Sequence, residues 1–134
     1  MVSCIELHDS VVTACEVLNR ESRMHFAYAV LHRSLGADGI DRGEVYSLSL
    51  DVILGDASIV RPFAALPTTL SDGVARIGDT VYEGRLPYPL DQQRAIVDLE
   101  LWDDRGNLIR IVAQSIAVQA RSVEVYVEDL PGAG

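Results

Sequence analysis

The chain has 134 residues, 20 of them acidic and 11 basic, for a net charge of −9, and every basic residue is arginine. That length suits one domain with one core, and the 49% apolar content is that of a globular chain rather than a disordered one. A negative field of this size argues against nucleic acid and anionic membrane as partners.

The two cysteines, Cys4 and Cys15, make neither a disulfide framework nor a zinc spacing. The start carries no basic, apolar leader, and no run approaches the ~18 apolar residues that span a bilayer. The expected place is therefore the cytoplasm.

In chain order, Val2–Leu7 predicts a short strand. Asp9 or Ser10 could then cap a helix, with Val11, Ala14, Cys15 and Leu18 on one face. Met24–Leu31 fits either state. Its Met24, Phe26, Tyr28 and Val30 alternate, yet no breaker separates them from a helix ending near Leu35-Gly36. Tyr46, Leu48, Leu50, Val52 and Leu54 alternate cleanly, with Ser47, Ser49 and Asp51 opposite.

Pro62 and Pro67 bracket a corner. Gly73–Arg85 reads as one or two short strands around a turn at Gly78-Asp79, and Leu86-Pro-Tyr-Pro89 as a second corner. The clearest element is a hairpin of strands 95–102 and 108–119, with Gly106 at positive φ in its loop. Ser122–Glu128 predicts a further strand with Val123, Val125 and Val127 on one face, and residues 131–134 a loose tail. The expectation is a single α+β domain over residues 1–130. It has an early helix and an antiparallel sheet of five or six strands; a mostly-β small barrel or sandwich is the alternative.

No nucleophile elbow, phosphate loop, dinucleotide fingerprint or zinc-protease motif is present. Asp51 could serve as an acid or base at the start of a buried helix, where an apolar slot would raise its pKa. The alternation favours instead the wet face of a strand. His25 and His32 lie seven apart, on one face of a helix, so they could line a cleft; simple hydrogen-bonded histidines are the plainer reading. His8, beside Asp9, suits a helix start. Asp103 and Asp104 look like half a calcium site, which would need more oxygens than this loop offers. Arg61, Arg85 and Arg94 flank the proline corners, and one of them could hold a carboxylate or phosphopantetheine.

Three stretches carry a family resemblance. Leu66-Pro-Thr-Thr-Leu-Ser-Asp-Gly-Val, then Gly84-Arg85, then Val97-Asp-Leu-Glu-Leu-Trp-Asp-Asp-Arg-Gly-Asn-Leu-Ile-Arg110 resemble the C-terminal half of polyketide synthase dehydratase domains. The late hairpin is also similar to that of stand-alone hotdog thioesterases. The resemblance implies a hotdog fold, with a long helix wrapped by a sheet. It implies a dehydratase or thioesterase that acts on or binds a thioester-linked acyl or polyketide chain, without cofactor or metal. Asp51 would be its acid/base, with His25 or His32 as partner, although Gly55 stands where the family usually has Gln or His. The dehydratase alignment would place the helix near 47–60, a plain hotdog within 10–35. A lone hotdog normally forms a homodimer or pairs with a related hotdog, and the lack of the family's histidine motif fits a silent subunit of a heteromeric enzyme. The alternative class is a non-catalytic β-module that binds a small molecule or a protein.

Overall fold

The computed structural model describes residues 2–34 and 42–131. The proposed helix end at Leu35-Gly36 and the tail beyond Pro131 lie outside them. Among the described residues there is no helix, so the α+β expectation is corrected to all-β.

The N-terminal third forms two long antiparallel strands, β1 (Val2–Leu18) and β2 (Glu21–Ser34). They are joined by a two-residue turn, Asn19-Arg20, with φ of 52° and 67°. Positive φ at both central residues gives the tight turn whose twist matches paired strands, and Asn tolerates it. The helical face expected over Val11–Leu18 does not form. Leu18 is 73% exposed, whereas Val12 is fully buried. Val11, Val12, Thr13 and Val17 are β-branched, which favours the pleated state.

Asp9 and Ser10 cap no helix; they make a bulge. Asp9 has φ 68°, and Ser10 Oγ donates to the Glu6 carbonyl at 2.7 Å. Short polar side chains that bond their own backbone stabilise such interruptions. Before the bulge, Ser3–Glu6 pair with β7 (Arg85–Tyr88); after it, Val11 and Val12 pair with β5 (Thr68–Ile77). Pro87 thus lies within a strand rather than a corner. It is tolerated because, among the described residues, β7 pairs β1 alone and so is an edge.

β3 (Gly43–Gly55) pairs with β2 along one side and, on the other, with β11 (Ser115–Ala120) and β12 (Val125–Leu130). Its alternation is as expected: Leu48, Leu50, Val52 and Leu54 are buried. A helix at 47–60 is therefore excluded along with one at 10–35. β4 (Ser58–Arg61) follows β3, the 62–67 loop forms the proline corner, and β5 turns at Gly78 (φ 59°) into β6 (Thr80–Glu83). After the two-residue β8 (Asp91–Gln92) comes the late hairpin, β9 (Val97–Asp103) with β10 (Leu108–Ala113), Gly106 at φ 81°.

The expected strand 108–119 is broken at Gln114. β10 stays with β9, and β11 crosses to β3. The sheet order β4-β10-β9-β5-β1-β2-β3-β11-β8 makes this break decisive. One residue separates β10 from β11 in sequence and two separate β3 from β4, yet each pair lies near opposite ends of the order. The sheet must curl until these ends meet. They do so where Gln114 N donates to the Gly55 carbonyl at 2.9 Å. The result is an antiparallel half-barrel with corners made by bent strands. Its inner face holds the core, with Met24, Phe26, Leu50 and Val52 on one arm and Leu99, Leu101, Ile109 and Ile111 on the other.

The curl does not close everywhere. Beyond Val12, β1 has β2 as its sole partner strand among the described residues, and β4 pairs with β10 alone. A seam is left between them.

Candidate functional site

The sheet brings two of the three expected site residues together. His25 on β2 and Asp51 on β3 are direct cross-strand partners, with His25 Nδ1 2.7 Å from Asp51 Oδ1. Arg23 donates to Asp51 Oδ2 at 3.1 Å, and Arg121 lies 3.7 Å from the same oxygen. The side-chain oxygen of Gln119, opposite Asp51 on β11, accepts from Arg23. Asp51 is 4% exposed, so it sits neither at a helix start nor on a wet face.

Burial works to raise the Asp51 pKa. The hydrogen bonds from His25 and Arg23 and the charge of Arg121 outweigh it and hold the carboxyl below its ordinary range. This reverses the raised value expected of an apolar slot. An ionised Asp51 can only accept, so His25 Nδ1 is the donor of this pair.

His32 does not join them. It pairs with Glu6 at 3.0 Å, roughly 20 Å along the strand from His25 at ~3.3 Å per residue. His8 lies beside Asp9 at 3.2 Å, at the bulge. The Asp103 carboxylate accepts from Arg105 N, Asn107 N and Asn107 Nδ2 at 2.8–3.0 Å, so it braces the hairpin loop instead of awaiting calcium. Among the described residues no cluster of His, Cys, Asp and Glu could hold a metal. Arg61, Arg85 and Arg94 are dispersed: Arg61 on β4, Arg85 in a groove with Glu6, Asp72 and Glu83, and Arg94 in another beside Pro89.

The seam holds a different kind of site. A cleft of about 160 Å³ lies between Cys15 of β1 and Ile59 of β4; Ile109 and Ile111 line it from β10, and Pro62, Phe63 and Leu66 from the loop. Every lining side chain is apolar apart from the Cys15 thiol. Burial pushes that thiol's pKa up, more than the Ser22 hydroxyl at 3.7 Å lowers it, so Cys15 stays protonated and a poor nucleophile.

The cleft and the Asp51 cluster face opposite ways. Cys15 is paired with Met24, whose side chain is fully buried on the inner face, and cross-strand partners share a face. His25, the next residue, points outward with Asp51. Arg23, Gln119 and Arg121 escape sequence reasoning because the strand register alone makes them neighbours. Phe63 and Leu66 carry a weak signal, as apolar residues between two prolines.

Fold and site together define an open, all-β half-barrel with an apolar seam. Compared with protein-family models, curated proteins and solved structures, the chain gives no match. No helix among the described residues is long and apolar enough to cross a membrane.

Proposed function

We propose that the protein is a non-catalytic β-module that holds a small apolar group, such as the end of an acyl chain, in the seam between β1 and β4. The observation that carries this reading is the apolar cleft itself: about 160 Å³, open to solvent, and floored by Ile109 and Ile111 of the core. An apolar cavity of roughly 150 Å³ admits a benzene-sized molecule, because its walls cannot satisfy water. Such a guest gains dispersion contacts and sheds its own hydration.

The positions of Asp51 and His25 support binding over catalysis. An acid/base pair must reach the reacting atom, within ~3.2 Å or through one water. Here a β-sheet stands between the pair and the cleft. An acyl chain end is proposed here as the class of ligand, without the hotdog helix or the Asp51-centred chemistry that accompanied the acyl-thioester expectation.

The test is a titration with benzene, followed by amide and methyl NMR shifts. Saturable shifts confined to Ile59, Phe63, Leu66, Ile109 and Ile111 are expected, and Ile59→Trp, which fills the cleft, should remove them. Absence of saturable shifts in the folded protein overturns the reading. Turnover of an acyl thioester that is lost in Asp51→Asn, with the fold intact, would replace it with the catalytic one.

A further inference from the structure

Among the described residues β12 is the longest strand with a single partner: it pairs with β3 and with no strand on its other side. That free edge leaves the N–H and C=O of every second residue without a strand to bond. The side chains along it are open too. Val123, just before the strand, and Val125, Tyr126 and Val127 within it are 46–80% exposed. A bulge at Val127 shifts the register between Tyr126 and Glu128 without ending the pairing with β3.

The edge is also net negative. Residues 122–130 hold Glu124, Glu128 and Asp129 and no base. Arg33 takes Glu124 in a two-pronged pair at 2.8 and 3.0 Å. Glu128 makes no ion pair among the described residues. Asp129 accepts from the Tyr126 hydroxyl, a neutral donor, and stands directly opposite Glu44 of β3, a like-charge pairing that costs stability. The other base nearby is Arg42, beside the Gly43 that pairs with Leu130. Two arginines thus stand against four acids: Glu44, Glu124, Glu128 and Asp129. A second copy of the chain would bring the same surplus of acids to the joint, on top of its own charge of −9, so it is a poor partner for this edge.

We propose that the free edge of β12 docks an extended segment of a partner protein, which adds to the sheet as one more antiparallel strand. Its residues opposite Glu128 and Asp129 are basic, and those opposite Val125 and Tyr126 are apolar. Backbone bonds along the edge supply affinity, and the side chains supply selection. A lysine or arginine opposite Glu128 and Asp129 sets attraction where the chain itself offers only Glu44, and the apolar residues cover the exposed valines. This surface belongs to β12 and β3, apart from the cleft between β1 and β4, so it stands independently of the seam as a ligand site.

The experiment titrates the full chain with three end-blocked hexapeptides, followed by amide NMR. The first is Val-Lys-Lys-Val-Thr-Val. The second has glutamate for both lysines. The third keeps the lysines but is N-methylated at alternate backbone amides, which removes the donors a new strand needs. Saturable shifts confined to residues 123–130 and their β3 partners are expected with the first peptide, and at least tenfold weaker binding with each of the others. Glu128→Gln, a change on an exposed side chain, should weaken the first peptide about two- to fivefold and flatten its salt dependence. Absence of saturable shifts on β12 overturns the proposal, since the acids then serve only to keep edges apart. Equal binding of the N-methylated peptide overturns strand addition, and equal binding of the glutamate peptide overturns the basic partner. Self-association of the wild type through β12, seen by light scattering and by protection of its amides, gives the edge to a second copy and overturns the partner as well.

Discussion

Asp51 and Leu48 lie on opposite faces of β3, and each is 4% exposed. Leu48 is covered by the apolar core of the curled sheet. Asp51 is covered on the outer face by His25, Arg23 and the chain around Arg121, each half-exposed and each supplying a hydrogen bond or a charge. Equal burial is therefore reached by two physical routes. The inner route removes apolar surface from water. The outer route replaces water around a carboxylate with fixed donors, and its net yield is small because desolvation offsets most of the attraction.

This difference predicts the sizes of mutational effects. Phe26→Ala on the inner face, where Phe26 is 1% exposed, should cost about 3–5 kcal/mol in urea denaturation. A loss below about 1 kcal/mol would mean that the half-barrel is loosely packed. Asp51→Ala should cost about 1–2 kcal/mol, less than a fully buried pair would, because Arg23 and His25 can rehydrate. If Asp51→Leu instead raises the melting temperature, apolar packing could serve on the outer face as well.

The pH dependence follows in sign. A carboxyl held below its ordinary 3.8 contributes stability that is present above that value and lost as pH falls through the folded-state pKa. Asp98, lowered mainly by its Arg110 hydrogen bonds, and Asp103 act in the same direction. The stability gap between the wild type and Asp51→Asn should therefore be steady from pH 7 to 5 and shrink below about pH 4. A gap that widens in acid would contradict the ionised assignment. The smallest effect is expected from Arg121→Ala. Its guanidinium is 49% exposed and 3.7 Å from Asp51, a contact worth no more than a few tenths of a kcal/mol and weakened further by salt.

Hairpins show how unevenly the fold was legible. The β9–β10 turn carries Asp-Asp-Arg-Gly-Asn, and its glycine adopts the positive φ that its residue type favours. The β1–β2 turn has the same backbone demand, met by Asn19 and Arg20 without a glycine, so Val11–Leu18 could pass for a helical face. Asn19 followed by alternating Met24 and Phe26 was the available signal, weakened by the bulge between Phe26 and Ala29. At the site, Asp51 and His25 stood out as residue types. Their contact, and the arginines that complete it, depend on a β2–β3–β11 register that leaves no local trace.

Sequence alone determined the composition, the acidic balance, the alternating face of β3 and the late hairpin, because each depends on residues a few positions apart. Tertiary structure decided whether Val11–Leu18 became helix or strand, which way Asp51 and its charge faced, and where the apolar seam opened. Among the positions that matter, Gln114 sends β10 and β11 to distant parts of the sheet, and the bulge at Asp9 passes β1 from β7 to β5. Their effect is fixed by the partner strands that receive it rather than by the residues themselves.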